Sequence, residues 1–222
     1  MYRVSILLDS NNNWLSKYIF KETFSNDNYT IDIFEDEKKI VGYDLVFVLG
    51  YTKILKEEFL VKNNLVMVVH ESDLPEGKGF SPIQWQILEG KKDIKVCLIE
   101  AKERVDSGDI LEKVELNFDG TELYDEIRSA QAAVTIKLIN NFLKKYPNFN
   151  KTAQKGTPTF YRRRNASDSE LDINLSIKKN FPKLRIGNNE EWPSFFKLNG
   201  RTYIIKIFKK PIDKNDSEVV DN

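Results

Sequence analysis

The chain has 222 residues, 41% hydrophobic and 31% charged, which suits one sizeable globular α/β domain with a small appendage rather than two full domains. Lysine plus arginine and aspartate plus glutamate each number 34, a formal net charge of zero that argues against a dedicated nucleic-acid binder. One cysteine and one histidine leave no disulfide framework or transition-metal cluster, and no apolar run is long enough to cross a bilayer.

Tyr2–Leu8 (YRVSILL) is a β-rich run expected as a central strand, and its place at the N-terminus, where a signal peptide would stand, points to the cytoplasm. Asp9-Ser10-Asn11-Asn12-Asn13 is a polar turn with N-cap candidates, after which Trp14, Leu15, Tyr18, Ile19 and Phe20 recur at helical spacing. No G-x-G-x-x-G fingerprint follows the first strand, which excludes dinucleotide binding by that device. Tyr29–Phe34 and residues 44–49 alternate as further strands, and residues 53–60 read as a helix. This rhythm predicts a Rossmann-like, mostly parallel sheet flanked by helices.

Residues 65–69 form a short, β-branched apolar run that delivers His70, the only histidine, to a carboxyl end, where open α/β sheets keep their ligand sites. A loop punctuated by Pro75, Gly77, Gly79 and Pro82 follows, then an amphipathic stretch at 83–88. A second strand-like run at 94–99 contains Cys97, expected as a small buried hydrophobe, and leads to the turn Val105-Asp106-Ser107-Gly108-Asp109. Residues 110–116 alternate as an outer strand. From Thr121 to about Lys145 a long helix carries the apolar stripe Leu123, Ile127, Ala130, Val134, Leu138 and Phe142, stopped by Pro147.

Past residue 149 the composition turns polar. Arg162-Arg163-Arg164 is either a solvated face or a phosphate contact. Ser167-Asp168-Ser169-Glu170 resembles a capping start to a short helix through Ile177. Asn199-Gly200 is a strong hairpin signal, joining the run after Trp192-Pro193 to residues 202–208. The expected division is a core at 1–148, a small C-terminal segment at 149–211 with a helix and a β-hairpin, and a frayed tail at 212–222.

Three stretches carry a family resemblance: His70-Glu71-Ser72-Asp73-Leu74-Pro75, Gly79-Phe80-Ser81-Pro82, and Val105-Asp106-Ser107-Gly108-Asp109-Ile110. Together they resemble the core of the formyltetrahydrofolate-dependent formyltransferases, and the arginine, Asp-Ser and Trp-Pro features of the C-terminal segment are similar to the bacterial sugar N-formyltransferase branch. That resemblance implies N10-formyltetrahydrofolate as cofactor and a nucleotide-linked amino sugar as acceptor, for surface polysaccharide synthesis. It also implies no nucleic-acid or membrane partner, no metal, and a homodimer. The family's Asn-x-His pair maps onto Val68 and His70, and its D-x-G turn onto Asp106. The side chain of Val68 has no hydrogen-bond donor.

By the same resemblance, His70 acts as base or electrophilic donor and Asp106 orients it; Ser72, Ser81, Gln84 or a main-chain amide at the loop start could replace the missing asparagine, with Gln84 the first candidate on reach. Gly50, Tyr51, Lys53, Ile54 and Leu55, with Arg104, Val105 and Asp109, are expected to hold the folate. The acceptor wall is expected from Glu71, Ser72, Asp73, Lys78, Gly79, Phe80, Ser81 and Trp85, with Arg163 and Asp168 beyond. Glu71 and Asp73 either bind sugar or only form the turn, and Phe80 and Trp85 either offer a flat face or pack under the loop. Two other readings stay open: transfer to another amine, such as aminoacyl-tRNA, a purine ribonucleotide or a carrier-bound amino acid, or a binding protein with little activity because of Val68.

Overall fold

The computed structural model describes residues 1–10, 13–24 and 28–210. The expected tail at 212–222, with Asn11 and Asn12 of the polar turn, lies outside the described residues. A six-stranded sheet runs in the order β2-β1-β3-β4-β6-β7. Its strands are β1 (Tyr2–Leu8), β2 (Tyr29–Phe34), β3 (Leu45–Leu49), β4 (Leu65–His70), β6 (Asp93–Glu100) and β7 (Ile110–Asn117). The neighbours from β2 to β4 pair in parallel, while β6 runs antiparallel to both β4 and β7. The mostly parallel sheet matches the expectation. The reversal has a simple cause: the 71–92 connection stays at one end of the sheet, so β6 returns beside β4 without a crossover.

Alternation along each strand divides the core between two faces. Met67 and Val69 join a large cluster with Ile6, Phe47, Leu98 and helix α3 (Tyr124–Lys145), whereas Val66 and Val68 join a smaller one with Leu7, Val48 and Phe59. Helix α3 buries Ile127, Val134, Leu138 and Phe142, as its stripe predicts. Its N-terminus is closed by Glu126, whose side chain accepts from the Leu123 amide at 2.8 Å. Acidic residues in its first turn and Lys144 and Lys145 in its last match the helix dipole.

Three helical expectations are corrected. The 14–20 stretch forms no helix: a short 3-10 turn at Asn13–Leu15 opens it and a second, Lys21–Phe24, follows it. Leu15, Ile19 and Phe24 are still buried, but the Thr23 hydroxyl accepts from the Phe20 amide at 3.3 Å and competes with helical pairing. The helix expected at 53–60 is the shorter α1 (Glu57–Val61), because the Thr52 amide is held by the Asp9 carboxylate at 2.7 Å. The helix expected to start near Ser167 is a 3-10 turn, Ala166–Ser169. The true helix, α4 (Ile177–Arg185), begins later, at the cap Ser176.

The C-terminal segment grips the core. A two-residue strand β8 (Phe160–Tyr161) pairs in parallel with β5 (Lys78–Gly79), and β9 (Ser194–Leu198) and β10 (Arg201–Ile205) form the hairpin expected around Asn199-Gly200. Both turn residues have positive φ, 49° and 74°.

Candidate active site

The crossover after β1 covers one face of the sheet and the one after β3 covers the other, since Leu15, Ile19 and Phe24 belong to one cluster and Phe59, Leu55 and Leu60 to the other. Adjacent strands whose connections diverge leave a crevice at their carboxyl ends, the usual ligand site of an open α/β sheet. The Asp9 carboxylate, on a residue only 1% exposed, bridges that crevice to Thr52 through its amide and hydroxyl.

His70 stands at the carboxyl end of β4, on the same face as Val68 two residues earlier. Its ring is held at both edges. Because a carbonyl only accepts, Nε2 carries the proton it donates to the Gly77 carbonyl at 2.8 Å. Nδ1 faces Asp106 Oδ1 at 3.6 Å, an electrostatic contact slightly longer than a hydrogen bond. The two side chains are 6% and 7% exposed.

Asp106 reaches this position through a constrained turn. Its φ is +53°, and its other carboxylate oxygen accepts from the Gly79 amide at 2.9 Å. The Gln154 side-chain amide donates to the carbonyls of Asp106 (3.0 Å) and Gly108 (2.8 Å), closing the turn from outside. Gly79 is required where it stands: a Cβ there would lie 2.3 Å from the Tyr161 carbonyl oxygen.

The structure brings His70, Asp106, Gly77, Lys78 and Gly79 together. Lys78 is 8% exposed, and burial pushes its ammonium below the ordinary lysine value, with the charge of Asp106 opposing that fall. Other expected residues have structural partners. Ser72 donates to the Glu76 carbonyl (2.7 Å) and shapes the loop, and Asp73 pairs with Lys113. Glu71 accepts from the Gln131 side chain, and Ser81, at φ 51°, occupies the N-cap position of α2 (Pro82–Leu88) without a side-chain capping bond.

Trp85 stacks on Tyr161 at 6.2 Å and donates to the Arg162 carbonyl at 2.9 Å, so it packs the segments together. Arg163 lies over the half-exposed Phe80 ring at 4.5 Å. Gln84 is corrected. It is buried on α2 and, with its amide turned oxygen-first, accepts from Arg128 and donates to the Ser81 carbonyl, each at 3.3 Å, so its donor is already engaged.

Asp168 is likewise corrected from acceptor contact to structural anchor. It pairs with Arg162 and accepts from the Asn165 amide at 2.7 Å. The Arg162 hydrogen bond holds its carboxyl below the usual range. A lowered carboxylate contributes stability in full above the unfolded value of about 3.9, and that contribution disappears as pH falls through the lower folded value. Asp168→Asn is therefore expected to lower Tm by about 2 °C at pH 7 and by nothing measurable near pH 2, checked by thermal melts at both. An equal loss at both pH values would overturn the ionic account.

The residues expected to hold folate flank the crevice. The main-chain groups of Lys53, Ile54 and Leu55 find no partner among the described residues, and Ile54 and Val105 expose 72% and 54% of their surface. Free main-chain donors and acceptors between apolar walls fit a flat aminopyrimidinone ring. Tyr51 departs from that set: its hydroxyl is committed to Glu37, and burial first, then that carboxylate, raises its pKa. No group of three or more metal-ligating side chains occurs among the described residues, and none of their helices is long and apolar enough to cross a membrane.

Sequence reasoning missed Asp9, Gln131, Gln154 and Arg128. Only the helical phase of α3 pointed to two of them, since Arg128, Gln131 and Thr135 recur at i, i+3 and i+7 and the latter two are buried.

Comparison with known proteins accords with this geometry. A profile described as formyl transferase matches residues 9–143. Methionyl-tRNA formyltransferases of Campylobacter lari and Finegoldia magna are 33% and 24% identical over 85% and 88% of this chain. The chain spans 62% and 64% of those proteins' lengths. The fold is similar to that of a methionyl-tRNA formyltransferase from Clostridium thermocellum, with TM-score 0.77, 22% identity, and coverage of 93% of this chain and 92% of that one. It is also similar to a 4-N formyltransferase from Francisella tularensis, with TM-score 0.70, 17% identity, and coverage of 95% and 99%. HypX from Aquifex aeolicus, solved with tetrahydrofolic acid, has TM-score 0.71 and 17% identity over 93% of this chain and 37% of its own. The profile match spans more than half of the sequence and contains both His70 and Asp106: the chain belongs to the formyl transferase family.

Proposed function

We propose that the chain is an N-formyltransferase that moves a formyl group from N10-formyltetrahydrofolate to the amine of a nucleotide-linked amino sugar. The observation that carries this reading is the buried His70–Asp106 pair at the crevice of a formyl transferase family member. Bound folate supplies an acyl carbon open to attack by an unprotonated amine. Nε2 of His70 is committed to the Gly77 carbonyl, so Nδ1 takes the proton that leaves the amine and passes it towards the departing nitrogen. Asp106 keeps the ring oriented and balances its charge while it carries that proton. Val68 offers only methyl groups, so no side-chain donor at that position meets the developing oxyanion. Near-complete burial of the pair keeps bulk water from screening it.

The zero net charge favours a compact anionic acceptor over a large polyanion. A second reading, transfer to methionyl-tRNA, is favoured by the names of the two relatives above. One assay separates them. Protein incubated with formyltetrahydrofolate and a panel of amino-sugar nucleotides is expected to release tetrahydrofolate with at least one. Release only with methionyl-tRNA selects the second reading, and no release with any acceptor removes both.

A further inference from the structure

Behind the His70 loop, where α2, α3 and the C-terminal segment meet, lies a cavity of about 180 Å³ that the proposed chemistry leaves unused. Its volume is that of about six bulk waters. Arg128 enters from α3 and Arg164 from the segment after β8, with Gln84 and Ser169 between them and Trp192 at the mouth. Two guanidinium groups in one small cavity is an unusual composition, and their partners do not neutralise them.

Arg128 donates to Gln131 Oε1 at 2.8 Å and to Gln84 at 3.3 Å and lies over the Trp14 ring at 4.4 Å, while its buried Nε has no hydrogen-bond partner among the described residues. Arg164 reaches only the Ser169 hydroxyl, at 3.5 Å, and its Nε is also buried and unpartnered. The described ion pairs engage Arg162 with Asp168 and Arg185 with Glu122, but place no carboxylate on Arg128 or Arg164. Burial pulls Arg164 below the ordinary arginine value. Attraction from Asp168 opposes this, and repulsion from Arg128 adds to it. Half-buried like charges of this kind are costly unless an anion joins them.

We infer that this cavity binds the phosphate groups of a nucleoside diphosphate, with Arg128 and Arg164 each donating to phosphate oxygens. Guanidinium forks match phosphate geometry with two parallel hydrogen bonds each, and they discard less hydration than an ammonium. Trp192 is 59% exposed at the rim and offers a flat face to the base. A relay links the cavity to the reacting end: Arg128 to Gln131, then Gln131 to Glu71, the residue after His70. An acceptor held there by its phosphates would present its sugar to the crevice. As an acceptor site the cavity rests on the proposed sugar-nucleotide reading; as a phosphate site it stands alone.

The test is calorimetric binding of UDP, dTDP, GDP and inorganic pyrophosphate to the intact protein, without folate. Wild type is expected to bind at least one nucleoside diphosphate. Arg128→Gln and Arg164→Gln should each weaken that binding by about ten- to a hundredfold. Arg164→Lys keeps the charge but loses the fork and should recover only part of it, a control against simple misfolding. Trp192→Ala should weaken the nucleotides and leave pyrophosphate unchanged.

No binding by wild type, or unchanged binding by both glutamine variants, overturns the assignment. So does loss of methionyl-tRNA binding with nucleoside diphosphates unaffected, which would give the cavity to a nucleic-acid backbone. The two proposals fail separately. Weakened diphosphate binding in a protein that formylates no amino sugar upholds the cavity and sinks the acceptor. Normal KM for an amino-sugar nucleotide in both variants sinks the cavity alone.

Discussion

His70→Ala is expected to cut formyl transfer by about a hundred- to ten-thousand-fold while leaving a folded protein. The magnitude follows from losing the ring that carries the proton from the attacking amine to the departing nitrogen. No asparagine stands two residues earlier to help, because position 68 is valine, packed against the cluster of Leu74, Cys97 and Ile99. The fold survives because His70 caps a strand whose other residues hold the core. The substitution costs one bond, to the Gly77 carbonyl, in a loop also held by Thr159 and Tyr161.

Asp106→Asn should lose about a hundredfold by a different route. Its amide oxygen can still accept from Gly79, which turns the amide NH2 towards Nδ1 and forces that nitrogen to accept. The double variant should be little slower than His70→Ala, since the carboxylate acts through the ring. Tetrahydrofolate release gives the rates, and far-UV dichroism with a melt checks folding. Transfer within threefold of wild type in His70→Ala would remove the assigned role, as would fully additive losses in the double variant.

Much of the core was legible because its strands are short, β-branched and regularly spaced. The run at 65–69 was enough to place His70 at the carboxyl end of a strand, whereas Asp106 entered only through the family resemblance. What stayed hidden depends on contacts distant in sequence. Nothing local announces that Gln154 caps the Asp106 turn across 48 residues, or that Asp9 crosses to Thr52. The arginine run divides into three environments that its sequence makes identical: Arg162 pairs with Asp168, Arg163 covers Phe80, and Arg164 turns inward. Gln84 was misassigned for a related reason. Reach along a short helix says nothing about which side of the loop the side chain faces.

Gly108→Ala is expected to disable the protein almost as fully as loss of His70, although residue 108 carries no reactive group. A Cβ on Gly108 would lie 1.7 Å from the Glu100 carbonyl oxygen and 2.7 Å from its carbon. Both atoms belong to the backbone of β6, where the Glu100 amide also donates to the Asp109 carbonyl at 3.0 Å, so the strand cannot yield. The turn must move instead. A displacement of more than about an ångström, the scale at which catalytic geometry fails, carries Asp106 away from His70 and from the Gly79 amide. Overpacking of this kind costs about 1–3 kcal/mol, so a folded but slow enzyme is the expected product. Gly90→Ala supplies the comparison: nothing lies within 4 Å of its added Cβ, and only its φ of +82° is strained. It should lose stability by about 1 kcal/mol and keep its rate. Equal rates in the Gly108 and Gly90 variants would show that the close approach to Glu100 does not hold the carboxylate in place.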